Sequence, residues 1–110
     1  MSNNDSAVNA DYDRRQYQRM LDLVLAYQKG AIGLAALVDN LDALRRALNS
    51  PSRVWLEQFE HLWGVLEDVY AVMLDNKETE LRGVNSKLVN QSLNDLPALI
   101  QSAIDSLHES

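Results

Sequence analysis

The residues of this 110-residue chain whose types and spacing come closest to a reactive site are Glu57 and His61. A carboxylate and an imidazole four residues apart lie on one side of a helix, where together they can bind a divalent metal. Metal sites in helical bundles also need facing ligands from other helices, and the sequence offers no second glutamate–histidine pair. We therefore interpret Glu57 and His61 as a solvated pair and predict neither a metal site nor a cofactor.

Nucleophilic catalysis has less support than metal binding. The chain contains no cysteine, and a serine–histidine–acid arrangement would require His61 to lie beside a serine held in a strained turn. Its four glycines are isolated from one another, so no segment resembles the glycine-rich loops that bind phosphate. The sequence therefore predicts no catalytic residue, and we expect a protein that is not an enzyme.

The remaining candidate site is a set of residues, here called the acidic face, along one side of a long amphipathic segment. Its members are Glu57, Glu60, His61, Gly64, Glu67, Asp68 and Asp75. No lysine or arginine lies between Val54 and Asn76 to neutralise it. Gly64 costs about 1 kcal/mol of helix propensity relative to alanine, but it lets an internal neighbour or a partner approach closely. We interpret the acidic face as a partner-binding surface; the alternative is an ordinary solvated side of a helix.

The net charge of -6 comes entirely from the second half of the chain. Residues 1–50 carry six acidic and six basic side chains, whereas residues 51–110 carry ten acidic and four basic ones. Nucleic acid and anionic membranes both repel such a chain, and no apolar run approaches the ~18 residues that a membrane span needs. We therefore expect a cytoplasmic protein, monomeric or homodimeric, whose partner is a basic protein.

Apolar residues recur along the chain at intervals of three and four, which predicts four helices and no strands. The connections between the first three helices are short, and short connections make consecutive helices antiparallel. We therefore predict an all-α protein, an up-down-up-down four-helix bundle with a long central third helix. Residues 11–108 are expected to form this single domain, and residues 1–10, which are polar and lack periodicity, are expected to be disordered.

Polar residues at the ends of the apolar repeats predict where two of these helices begin. The first helix is expected to begin at Asp11 or Asp13, as an acidic cap, and to end at Gly30. Ser50 is the predicted N-cap of the third helix, because Pro51 would then occupy the first helical position, where a missing N–H costs nothing.

The third helix is expected to be the centre of the bundle. Its segment from Trp55 to Leu74 holds both tryptophans and the only phenylalanine. The apolar positions cover roughly 200° of arc, about twice the stripe of an ordinary surface helix. We therefore expect neighbouring helices to pack against it on two sides.

The third helix is longer than the second, so its C-terminal end is expected to overhang. We predict that the following segment covers this end, with Leu81 and Val84 packed inward and a Glu78–Arg82 pair in a helical turn.

The last helix is expected to begin near Ser86 and contains Pro97. Its apolar register continues across the proline, which predicts one helix with a kink. The alternative is two short helices, with Asn94 or Asp95 as the cap of the second.

A pattern of packing residues within positions 12–75 looks like that of small helical bacterial proteins. It reads Tyr27-x-x-Gly30-x-Ile32-x-Leu34-x-x-Leu37-Val38 and then Trp55-x-x-x-Phe59-x-x-x-Trp63-x-x-Leu66-Glu67-x-x-Tyr70-Ala71. Some small acidic proteins of this kind resemble the immunity proteins of contact-dependent growth-inhibition toxins. The resemblance implies a protein that neutralises a basic toxin domain, and it assigns no binding residue. The alternative is a structural or regulatory bundle that acts as a homodimer or as an assembly subunit.

Overall fold

The computed structural model describes the backbone of residues 2–108 and the side chains of residues 8–107. Within those residues the chain forms four helices and no strands: α1 (Ser2–Gln28), α2 (Leu34–Ala47), α3 (Arg53–Asp75) and α4 (Gly83–His108). Each helix packs against two neighbours, in the cyclic order α1, α2, α3, α4, so that α1 and α3 lie diagonally opposite. The predicted all-α, up-down-up-down four-helix bundle is confirmed.

The core consists of one apolar stripe from each helix. Residues three and four positions apart lie on the same side of a helix, and the stripes meet along the axis of the bundle. The most deeply buried side chains are those of Met20, Val24, Leu37, Leu41, Phe59, Leu66, Val89, Leu96 and Ile100. Phe59 and Leu66 are fully buried, and with Trp55, Val69 and Met73 they form the inner face of α3 as predicted.

The apolar arc of α3 is narrower than the sequence predicts. Val54, Val72 and Leu74 are exposed, with 66%, 44% and 60% of their surface accessible. The 14 residues of α2 span roughly 21 Å at about 1.5 Å per residue, against roughly 35 Å for the 23 residues of α3. A neighbour this short leaves the C-terminal end of α3, including Leu74, uncovered.

The first helix begins at Ser2, which corrects the predicted start at Asp11 or Asp13. Residues 2–10 contain no proline or glycine to interrupt a helix. Val8 and Tyr12, on this first part of α1 with described side chains, are exposed. Met1 and the side chains of residues 2–7 lie outside the described part of the chain, and the predicted disorder of residues 1–10 stays a prediction.

Asp13 anchors the loop between α2 and α3, which corrects its predicted role as a helix cap. It is 2% exposed, and its two carboxylate oxygens accept hydrogen bonds from the backbone N–H groups of Asn49 at 2.8 Å and Ser50 at 3.1 Å. Because Asn49 and Ser50 are held in this loop, α3 begins two residues later than predicted. Its N-cap is Ser52, whose hydroxyl oxygen accepts from the Trp55 N–H at 3.1 Å.

The connection between α3 and α4 differs in part from the prediction. Leu81 packs against the core as predicted, whereas Val84 is 71% exposed because α4 already begins at Gly83. Arg82 pairs with Glu80 at 3.3 Å rather than with Glu78. The segment forms no helical turn at Glu78, since its N–H bonds the Met73 carbonyl at 2.8 Å and closes the end of α3.

Helix α4 continues through Pro97 as a single element. This excludes the alternative of two short helices with Asn94 or Asp95 as a cap. Leu93 and Leu96 are buried on one side of the proline and Ile100 on the other, so the core stripe crosses it without interruption. Burial of this stripe offsets the ~3 kcal/mol that a proline costs inside a helix.

Candidate protein-binding surface

Two glutamates of the acidic face are paired with arginines, which corrects the expectation that the whole face is uncompensated. Glu60 pairs with Arg45 of α2 at 3.1 Å. Glu57 pairs with Arg53, one turn earlier in α3, at 3.5 Å. The sequence interval between Val54 and Asn76 contains neither arginine, because one precedes it and the other reaches across from a neighbouring helix.

Arg45 belongs to a contact that joins α2 to α3. Its guanidinium also pairs with Asp42 at 2.6 Å and lies over the Trp63 ring, 6.0 Å from the ring centroid. The Nε1 of Trp63 donates to the Val38 carbonyl of α2 at 2.9 Å. Glu60 therefore contributes to the contact between α2 and α3, and its carboxylate is not free to bind a partner.

Three acidic residues of the face are exposed and have no ion-pair partner among the described residues: Glu67, Asp68 and Asp75. They lie in the C-terminal half of α3, and the last turn of this helix carries no basic residue. Asp75 lies in that last turn, where the helix dipole disfavours a negative charge by about 0.3–1 kcal/mol. These carboxylates therefore add nothing to the stability of the fold through ion pairing.

Gly64 forms an open notch on the exposed side of α3. A Cβ atom built at Gly64 would have no atom of another residue within 4 Å, so no neighbouring helix packs into the gap. Close approach of an internal neighbour therefore does not explain this glycine. The notch faces solvent between Glu60 and Glu67.

We expect Gly64→Ala to raise the free energy of unfolding by about 0.5–1 kcal/mol, because alanine favours the helix and the new methyl group meets no neighbour. Urea denaturation monitored by circular dichroism measures the difference. Ala71→Gly, at an exposed position of the same helix, is the matched control and should lower stability by a similar amount. A less stable Gly64→Ala protein would show that the notch is filled.

His61 and Glu57 lie on the side of α3 that faces α4. Here the two helices form an open groove of about 580 Å³, the α3–α4 groove. It is lined by Glu57, Gln58, His61, Leu62, Asp95, Ala98 and Leu99. Asp95 was not predicted as part of this site, because no local pattern in the sequence indicates that it lines the same groove as His61. Among the described residues, no three histidine, aspartate or glutamate side chains are close enough together to hold a metal ion.

The helices are amphipathic rather than uniformly apolar. Within residues 2–108, none of them combines the length and the apolar character needed to cross a membrane. Comparisons of this chain with models of protein families, with curated proteins and with solved structures each gave no match.

Proposed function

We propose that this chain is a protein-binding module that acts in the cytoplasm and is not an enzyme. Its most specific form is an immunity-type protein that neutralises a basic toxin domain. The proposal rests on one observation: Glu67, Asp68 and Asp75 are exposed and have no ion-pair partner among the described residues, and the first two lie within one turn of the notch at Gly64. Such a surface favours a cationic partner, because complementary charge speeds encounter and rejects anionic competitors.

The ion pair of Glu60 bears on which residues the proposal assigns to the binding surface. Glu60 is excluded by its pair with Arg45, and a lysine at this position would place two cations side by side in the contact between α2 and α3. Glu67 and Asp68 are the better positions for a test, since neither is used in the fold. Asp22 and Asp39, exposed on α1 and α2, supply a control with the same change in net charge.

We expect the double variant Glu67→Lys/Asp68→Lys to bind the basic partner at least about tenfold more weakly than the wild type, a loss of ~1.4 kcal/mol. The physical reason is the loss of two attractive charges and the gain of two repulsive ones at the contact. The control Asp22→Lys/Asp39→Lys should keep wild-type affinity, and wild-type affinity should fall as salt is added.

The measurement begins with co-purification of the wild-type chain and both variants from cells of the native host. The partner is taken to be the basic protein that the wild-type chain retains, whichever variants also retain it. Isothermal titration of the purified partner at low and high salt then gives the three affinities. Equal affinity of both double variants for that partner would contradict the proposed surface.

If the chain is an immunity-type protein, its partner must be toxic. Expression of the partner alone should stop growth, and co-expression of the wild-type chain should restore growth. Co-expression of Glu67→Lys/Asp68→Lys should restore growth poorly. A partner that is harmless when expressed alone would leave protein binding in place and exclude immunity.

The alternative function, a homodimer or an assembly subunit, is favoured by a different observation. Leu25 of α1 is exposed, and Val54, Val72 and Leu74 leave part of the apolar arc of α3 uncovered. Apolar surface of this kind can be covered by a second copy. Sedimentation at tens of micromolar distinguishes the two, since a strict monomer disfavours self-assembly.

A further inference from the structure

Two open grooves with apolar linings lie on opposite sides of the bundle, and they differ in charge. The α3–α4 groove has Leu62, Ala98 and Leu99 as its apolar lining, and its charged residues, Glu57 and Asp95, are both acidic. The second groove, between α1 and α2, has a volume of about 460 Å³ and carries one charge of each sign, on Arg19 and Asp22. Of these two grooves, the α3–α4 groove therefore favours a basic partner, chiefly through Asp95, since Glu57 already pairs with Arg53.

Beyond the α3–α4 groove, half-buried Val65 and exposed Val72, Leu88 and Val84 continue its line along the two helices. On α3 the same edge passes from His61 through Val65 to Val72, in steps of four and seven residues that keep them on one side of the helix. On α4 the facing edge carries Leu88 and Val84, which are also exposed. Asp68 lies on the α3 edge between the valines. The result is an apolar strip with carboxylates along its borders.

We propose that the α3–α4 groove binds an amphipathic helix of the partner protein, apolar on its inner side and rich in lysine or arginine on both flanks. This inference rests on the proposed function and names the part of the basic partner that is recognised. The groove itself is lined by Glu57 to Leu62 on α3; together with the apolar strip that continues to Val72 it spans roughly 22 Å at about 1.5 Å per residue, which fits about four turns of a helix.

The arrangement of the strip favours a helix as its occupant. Leu62 and Val65 on the α3 wall are three residues apart, and Val84 and Leu88 on the α4 wall are four apart. Apolar surface at these intervals suits a helix that presents anchors at i, i+3, i+4 and i+7. Basic flanks of that helix would meet Asp68 on the α3 wall and Asp95 on the α4 wall, whereas Glu57 already pairs with Arg53. A second copy that presented its own α3–α4 groove would instead bring like charges together, because a two-fold interface juxtaposes identical surfaces.

The direct test uses a synthetic 15-residue helical peptide with leucines at helical spacing and lysines on both flanks. Titration of the full chain by fluorescence anisotropy gives its affinity. Two further peptides serve as controls: one with glutamates in place of the lysines, and one of identical composition in which the leucines form no stripe. We expect the lysine-flanked peptide to bind, and each control to bind at least about tenfold more weakly.

A matched pair of variants of the chain locates the binding. Ala98 in the α3–α4 groove and Ala43 in the α1–α2 groove are both exposed alanines in the middle of a helix. Arginine is nearly as good a helix former as alanine, so Ala98→Arg and Ala43→Arg should both fold, which circular dichroism verifies. We expect Ala98→Arg to weaken binding of the lysine-flanked peptide at least about tenfold and Ala43→Arg to leave the affinity for this peptide unchanged.

The native partner separates failure of this inference from failure of the proposed function. If Glu67→Lys/Asp68→Lys weakens binding of the partner but Ala98→Arg does not, the proposed acidic surface is supported and the groove assignment is wrong. If neither variant weakens any co-purified protein, the proposed function itself fails. Equal binding of the scrambled peptide, or a dimer of the chain that Ala98→Arg dissociates, would also overturn the assignment of a partner helix.

Discussion

Trp55→Ala should lower the free energy of unfolding by about 3–5 kcal/mol, the usual cost of truncating a buried aromatic residue. The indole of Trp55 stacks on Phe59 with ring centroids 5.1 Å apart and meets the edge of Tyr17 at the same distance. Its Nε1 donates to the Leu99 carbonyl of α4 at 2.8 Å. Alanine would therefore leave a cavity where α1, α3 and α4 meet, and it would remove a hydrogen bond between helices.

Chemical denaturation of Trp55→Ala and Trp55→Phe separates these two contributions. Phenylalanine keeps much of the ring packing and loses the hydrogen bond, so we expect a smaller loss of about 1–2 kcal/mol. Trp63 is half-buried, so we expect Trp63→Ala to lower the free energy of unfolding by less than Trp55→Ala does. A loss under about 1 kcal/mol for Trp55→Ala would mean that this aromatic cluster does not hold the bundle together.

Asp13→Ala should cost about 3–6 kcal/mol, because hydrogen bonds to a charged group contribute about 1.5–3 kcal/mol each and two are lost. The carboxylate is almost fully buried and holds two consecutive backbone N–H groups. Tyr17 lies close by: burial, with a smaller contribution from the Asp13 carboxylate, raises the pKa of Tyr17 to about 12. The phenol is therefore neutral at physiological pH. Truncation of Asp13 leaves the backbone N–H groups of Asn49 and Ser50 without their acceptor.

Asp11→Ala is the matched control for Asp13→Ala. Asp11 lies two residues earlier in the same helix and pairs with Arg14 at 2.7 Å, but 69% of its side chain is exposed. A surface ion pair of this kind is worth at most about 1 kcal/mol. Equal losses for the two variants in thermal or urea denaturation would show that Asp13 is not an anchor of the loop.

The helices and the core were predictable because helical periodicity is a local property of a sequence. The steps of three and four residues from Phe59 to Leu66 and Val69 placed these side chains on the inner face of α3, where they are buried. The exposure of Leu74 was not predictable in the same way. It depends on how far a different helix, α2, extends along α3.

Caps and loops were predicted less well because their partners are distant in sequence. Ser50 and Ser52 have the same capping chemistry and flank the same proline. The choice between them follows from Asp13, which is 36 and 37 residues away from the two amides that it binds. No pattern near residue 50 contains that information.

The candidate site was predicted in part for the same reason. Glu67, Asp68 and Asp75 are exposed, as expected from their phase on the helix. The pairing of Glu60 with Arg45 and the position of Asp95 in the α3–α4 groove depend on which helices are neighbours and how each is rotated about its axis. A single sequence contains no direct record of either quantity.

The cyclic order of the helices also converts the uneven charge of the chain into an electric moment across the bundle. The half of the chain that carries the net charge forms α3 and α4, and the balanced half forms α1 and α2 on the opposite side. The molecule is 22–23 Å thick, whereas electrostatic fields decay over about 8 Å at physiological ionic strength. An approaching cationic protein would therefore sense mainly the surface nearest to it, and the resulting torque would turn α3 and α4 toward that protein before contact.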